Sequence, residues 1–147
     1  MELLSLYAAL AVGWSVLVMP RTAAVPQEDP MDRLLDAIAV VESRDDPAAV
    51  GDGGRALGVY QIHRSYWADG TELLGVAWKY REARDPQKAR QVVRAYLSHY
   101  GHGKSLLDMA RIHNGGPQGH RKAATLAYAR KIECVLNGGE FGPRRSG

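Results

Sequence analysis

Apolar positions fall at helical spacing in several stretches of the chain. Met31, Leu34, Leu35, Ile38 and Val41 recur three and four apart, which predicts a helix with one inward face. Asp29-Pro30 supplies its start, aspartate as N-cap and proline at the first helical position, and Asp45-Asp46-Pro47 ends it. Asp85-Pro86 repeats that start. Ala89, Val92, Val93, Tyr96, Leu97 and Tyr100 then trace the strongest amphipathic helix, which Gly101 and Gly103 stop. A shorter helix, Ser105 to Ile112, turns Leu106, Leu107 and Ala110 inward before a loop at His113-Asn114-Gly115-Gly116-Pro117. A last helix, about Lys122 to Leu136, buries Ala124, Tyr128, Ile132 and Val135, and Asn137-Gly138-Gly139 ends it. Between the first two helices, Gly51-Asp52-Gly53-Gly54 reads as a turn. Extended pieces flank it, the second carrying Leu57, Val59 and Ile62, which predicts a small hairpin or irregular sheet. The expected class is α+β, mostly helical.

The amino-terminal pattern is different. Leu3 to Met19 is nearly unbroken apolar sequence, closed by Pro20-Arg21, and Thr22-Ala23-Ala24 offers small residues for cleavage. Residues 1–24 read as a signal peptide or a membrane anchor, although the Met1-Glu2 start lacks a basic residue. A linker at 25–29, one domain at 30–137 and a disordered tail at 138–147 complete the layout. Export implies an extracytoplasmic protein, secreted or periplasmic, with a tether through residues 3–19 as the alternative.

Composition changes this picture little. The 147 residues carry a net charge of +3, and losing the leader leaves it at +3 because Glu2 and Arg21 cancel. A mildly basic surface suits an anionic partner such as a cell wall. The bases are dispersed, so no nucleic-acid partner is expected. Cys134, the one cysteine, has no disulfide partner within the chain. Its apolar helical setting predicts a buried, inert thiol. No histidine or cysteine cluster has metal-ligand spacing, and no glycine-rich loop follows a strand to hold phosphate. Neither metal nor cofactor is expected, and the protein is expected to be a monomer.

Glu42 breaks the pattern. It stands four residues after Ile38 and seven after Leu35, on the apolar face of its helix. It also occupies the last turn, where the helix dipole disfavours negative charge. Both effects oppose ionisation, so its pKa is expected above the usual carboxylate range. A carboxylic acid still protonated near neutrality can protonate a leaving oxygen, the requirement for cutting a glycosidic bond. The plain alternative is a helix-end glutamate turned to solvent or paired with Arg44.

Glu42-Ser43, Gly58-Val59-Tyr60-Gln61-Ile62, Tyr66-Trp67-Ala68-Asp69, Ala110-Arg111-Ile112-His113-Asn114-Gly115-Gly116-Pro117 and Ala124-Thr125-Leu126-Ala127-Tyr128 follow one another in order. This series resembles the invertebrate-type lysozymes, also called the destabilase family. More loosely, it is similar to bacterial soluble lytic transglycosylases. The resemblance runs from about Leu34 to Ile132. It implies a lysozyme-like fold with a small β-hairpin lobe and a substrate cleft. It also implies Glu42 as general acid on the β-1,4 bonds of peptidoglycan or a related amino-sugar polysaccharide. Tyr60, Gln61 and the segment from His113 to Gly116 are implied as cleft lining. The chain departs from the family in lacking its disulfides, so packing must hold the fold.

The family pattern also has an aspartate after the glutamate as second carboxylate, and Asp52 is the only acid in the turn before Gly58. Either a retaining or an inverting hydrolase needs such a group across the sugar from the acid. Asp-Gly-Gly is equally a turn former, so both roles stay open for Asp52. Without it, a lytic transglycosylase using Glu42 alone remains, as does a glycan-binding module without chemistry. Tyr66 and Trp67 could stack on sugar or fill the core. His113 and Asn114 could hydrogen-bond substrate or be structural. Gly115 and Gly116 would let backbone approach a ligand. Asp69 is a weaker acid candidate, more in keeping with a local hydrogen-bond partner. Ser65 and Ser98 receive no assigned role.

Overall fold

The computed structural model describes residues 28–139. The leader and most of the tail lie outside them. Five helices are present: α1 (Pro30–Ser43), α2 (Arg64–Leu74), α3 (Pro86–Tyr100), α4 (Leu106–Gly115) and α5 (Leu126–Leu136). Three two-residue strands, β1 (Val50–Gly51), β2 (Ala56–Leu57) and β3 (Ile62–His63), pair antiparallel in the order β1-β2-β3. No helix among the described residues is long and apolar enough to cross a membrane.

Both Asp-Pro starts form as expected. Asp29 Oδ1 accepts from the Met31 amide at 3.0 Å, and Asp85 Oδ1 accepts from the Gln87 and Lys88 amides. Leu34, Leu35 and Ile38 of α1 meet Val92, Val93 and Leu97 of α3, Ile112 of α4 and Ile132 of α5 in one core. Each of these side chains is fully covered. On the solvent side a charged clasp ties α1 to α3. Arg90 reaches Asp32 at 2.7 Å and Asp36 at 2.6 Å, while Arg94 reaches Asp29 at 2.9 Å and also Asp32. These long-range ion pairs join elements about 60 residues apart in a chain that cannot close a disulfide.

The β-lobe is built differently. Tyr80 places its hydroxyl between the carbonyls of Arg55 and Ile62, at 2.7 and 2.8 Å. Gly58 adopts φ +73°, and a Cβ there would stand 2.3 Å from the Ala83 carbonyl oxygen, so only glycine fits. Ser43 Oγ donates to the Val59 carbonyl at 2.9 Å and accepts from the Asp46 amide at 3.0 Å. One hydroxyl thus joins the end of α1 to the β-lobe, a physical reason for serine directly after Glu42.

Several expectations are corrected. The periodicity assigns no element to Arg64–Leu74, yet α2 forms there. Its buried residues, Tyr66, Trp67, Gly70 and Thr71, lie on one narrow stripe. Gly70 is a contact point, since Val92 Cγ1 stands 2.5 Å from where a Cβ would be. Helix α4 continues through His113-Asn114-Gly115 instead of ending at Ile112, because His113 follows Ala110 on the buried face. Helix α5 starts at Leu126, not Lys122. Ala124 is exposed on a 3₁₀ turn, and Thr125 is buried in its place. Thr125 Oγ1 accepts from Arg111 Nε at 3.0 Å and sits 2.8 Å from the Gly119 carbonyl, filling that position with a hydrogen-bonded group. Cys134 is exposed rather than buried. It stands two residues past Ile132, about 200° around the helix from the inward face.

Candidate active site

A cleft of about 570 Å³ lies between the helical lobe and the β-lobe. Glu42 lines it from the last turn of α1, and Asp52 lines it from the turn between β1 and β2. The Glu42 side chain is 19% exposed, whereas the Asp52 side chain is 58% exposed. The two acids therefore meet one cleft from unlike settings.

Glu42 sits among polar side chains of α2, α4 and α5. His113 Nε2 stands 3.5 Å from Glu42 Oε1. On the other side of that imidazole, the Tyr66 hydroxyl meets Nδ1 at 3.1 Å. The Tyr128 hydroxyl is buried beside Glu42 and completes no well-formed hydrogen bond. Burial, then the neighbouring Glu42 carboxylate, holds the Tyr128 phenol far above its ordinary value. Tyr66 is likewise pushed well up, chiefly by burial. Both phenols thus stay protonated. They are fixed by packing: Tyr66 stacks on Tyr96 with ring centroids 3.7 Å apart, and His113 meets Tyr66 edge-on at 5.3 Å.

Asp52 has a partner in His63, with Nε2 at 2.8 Å from Oδ2. His63 closes β3 and faces Ala56 across the ladder, which carries its side chain toward the turn. Gln61 lines the same cleft. Its amide donates to the Gly58 carbonyl at 2.9 Å, and its Oε1 occupies the space a Cβ on Gly51 would need, at 2.2 Å. A side chain at position 51 would force the Gln61 amide to shift.

Among the described residues, four non-glycine residues have positive φ: Arg44 (58°), Asp45 (63°), Asp52 (49°) and Gln61 (48°). Arg44 and Asp45 close the C-terminal end of the Glu42 helix, and Asp52 and Gln61 line the cleft. Left-handed backbone costs non-glycine residues about 1–2 kcal/mol, and such strain concentrates at functional sites.

The cleft brings Glu42, Asp52, Gln61, Tyr66, His113 and Asn114 together. It does not include Tyr60 or Gly115. Tyr60 is 3% exposed and turns between α1 and α3, where its hydroxyl meets the Arg90 guanidinium at 3.2 Å. Gly115 backs onto Thr125, and its carbonyl accepts from Lys122 Nζ at 2.6 Å. Gly116 and Pro117 line the cleft instead. Tyr66 is a wall residue with its hydroxyl engaged, not an open stacking platform. Trp67 is core, donating to the Trp78 carbonyl at 3.1 Å. Sequence reasoning gave no role to His63 and Ser65 and ranked Asp69 low, yet all three line the cleft. Among the described residues no group of three His, Cys, Asp or Glu could hold a metal ion.

A helical lobe and a small antiparallel sheet flanking a polar cleft, with a covered glutamate at the end of the first helix, define a lysozyme-like α+β protein. Comparison with known proteins narrows this. The destabilase family model matches residues 32–134. A lysozyme of the oyster Ostrea edulis is 39% identical over 93 residues, covering 57% of this chain and 66% of the oyster protein. Invertebrate-type lysozyme 6 of Caenorhabditis elegans is 35% identical over 109 residues, covering 64% of this chain and 78% of the relative. Among solved structures, an inhibitor-bound lysozyme from Meretrix lusoria matches with TM-score 0.63 and 27% identity, covering 74% of this chain and 93% of its own. Tapes japonica lysozyme matches with TM-score 0.62 and 24% identity, covering 74% and 94%. The chain belongs to the destabilase family, the invertebrate-type lysozymes.

Proposed function

We propose that the protein is a lysozyme, a glycoside hydrolase that cleaves the β-1,4 bonds of peptidoglycan outside the cytoplasm, with Glu42 as general acid and Asp52 as second carboxylate. One observation carries the reading: a largely covered glutamate and an exposed aspartate line the same cleft between the two lobes. Family membership and the lysozyme relatives support it. The apolar leader sequence supports export, and its retention would tether the domain to a membrane.

In this reading the sugar chain lies along the cleft with the scissile oxygen against Glu42. Glu42 gives its proton to that oxygen as the bond to the anomeric carbon lengthens. Positive charge grows on the sugar ring, and Asp52, from the turn opposite, stabilises it and then serves as nucleophile or as base for water. His63 keeps the Asp52 carboxylate oriented. Asn114 and Gln61 offer amides to the sugar hydroxyl and acetamido groups. The basic net charge favours approach to an anionic wall.

Digestion of purified peptidoglycan with mass spectrometry of the product ends tests this directly. Reducing ends, with cleavage reduced about a hundredfold or more in Asp52→Asn, are expected. Anhydro ends would overturn the hydrolase reading for a transglycosylase. Cleavage unchanged in Asp52→Asn would remove Asp52 from the mechanism.

A further inference from the structure

His113 is almost fully covered in the cleft wall, where it lies between two oxygens. Its side chain is 4% exposed. Nδ1 faces the Tyr66 hydroxyl at 3.1 Å, and Nε2 faces Glu42 Oε1 at 3.5 Å. The titratable groups around it are Glu42 from α1, Tyr66 from α2 and Tyr128 from α5.

We propose that His113 is a positioning residue for Glu42: Tyr66 locks the imidazole as the neutral Nε2–H tautomer, and that N–H holds Oε1 so that the acidic proton resides on the other carboxyl oxygen. The inference rests on Glu42 being the general acid. The buried Tyr66 phenol has one proton to place, and His113 Nδ1 is its partner at 3.1 Å. An undonated buried hydroxyl costs more than a donated one, so Tyr66 gives its proton to Nδ1. Nδ1 is then an acceptor, and the ring hydrogen of the neutral imidazole sits on Nε2. Glu42 Oε1 is an acceptor in both protonation states when the carboxyl proton is on Oε2. The Tyr66 end therefore sets the tautomer, and Glu42 Oε1 can accept the N–H that it places on Nε2.

The consequence is catalytic. A carboxylic acid with either oxygen protonated presents its proton to the glycosidic oxygen only part of the time. Capping Oε1 with an N–H leaves one productive arrangement. As Glu42 loses its proton, negative charge develops on a carboxylate already facing a donor, and the 3.5 Å contact tightens into a charge-assisted hydrogen bond. The interaction is stronger in the transition state than in the resting enzyme, the condition for raising kcat rather than lowering KM. The ring stacking of Tyr66 on Tyr96 supplies the rigidity that keeps the imidazole in line.

Tyr66→Phe removes one hydroxyl and keeps the stacked ring. Its expected effect is a fall in kcat of about tenfold with KM little changed, and His113→Ala should fall about a hundredfold, the scale on which one preorganised donor acts. His113→Gln restores an N–H toward Glu42 and should recover a large part of that loss. The tautomer is read independently of turnover from long-range ¹⁵N–¹H correlations of the imidazole, assigned by the signal lost in His113→Gln. Nε2–H in the wild type, giving way to mixed tautomers in Tyr66→Phe, is the expected result. An Nδ1–H tautomer in an active wild type, or wild-type kcat in Tyr66→Phe, overturns the proposal and leaves the lysozyme reading intact. A wild type that cleaves no peptidoglycan overturns the lysozyme reading instead, whatever tautomer it shows.

Discussion

The two walls of the cleft are held by different physics. Glu42 extends from a helix whose inner face is wholly covered by α3, α4 and α5, reinforced by the Arg90 and Arg94 clasp. Asp52 extends from three strands of two residues each, anchored in the core by Leu57, Val59 and Ile62 and fastened by one tyrosine hydroxyl, one glycine contact and one serine hydroxyl. The first wall is a hydrophobic core with a side chain at its edge. The second has a smaller apolar anchor, with hydrogen bonds around left-handed backbone at Asp52 and Gln61. The proposed proton donor thus occupies the wall that keeps it covered, and the exposed acid occupies the more open wall.

Core truncation should separate the walls most sharply. Leu35→Ala or Ile38→Ala should destabilise the protein by about 2–5 kcal/mol in denaturant unfolding, the cost of a buried cavity. Val50→Ala, on half-exposed β1, should cost under about 0.5 kcal/mol. Similar losses at both sites would erase the distinction. Ser43→Ala should cost about 1–2 kcal/mol and lower cleavage as well, because it releases the β-lobe from the turn carrying Glu42. Loss of stability without loss of cleavage would show that the link does not position the acid.

Acid pH probes the clasp. Arg94 chiefly holds Asp29, and Arg90 then Arg94 hold Asp32, below their ordinary carboxylate values. A depressed folded pKa means that stability is fully present above the unfolded value, near 4, and is lost as pH falls through the lower folded values. The melting temperature should fall below about pH 4, and Arg94→Ala should flatten that fall. An unaltered slope would mean the pairs form too weakly to register. The smallest effect is expected at Arg44, whose left-handed φ caps α1. Arg44→Gly should stabilise by about 1 kcal/mol or less and leave Glu42 in place.

Much of the helical wall was legible because its signals are local. Asp-Pro at both helix starts, and the spacing from Ala89 to Leu97, need no partner to be recognised. Glu42 stood out for the same reason, as an acid on an apolar face. The β-lobe was legible only as a turn, since strands of two residues carry too few positions for alternation. Tyr60 and Gln61 are adjacent, yet the left-handed backbone at Gln61 sends one to the core and the other to the cleft, which no periodicity reveals. Helix α2 was hidden by Gly70, a residue that reads as a breaker and serves as a close contact with Val92. His63 was unforeseen because its role depends on strand register across from the turn of Asp52.

The account depends most on Glu42 supplying a proton from its covered place at the end of α1. The decisive measurement compares peptidoglycan cleavage by wild type and Glu42→Gln at equal folded concentration, with binding to insoluble peptidoglycan measured alongside. Cleavage should fall by about 10²–10⁴-fold in the variant while binding and melting temperature stay near wild type. A variant that cleaves at the wild-type rate would contradict the account.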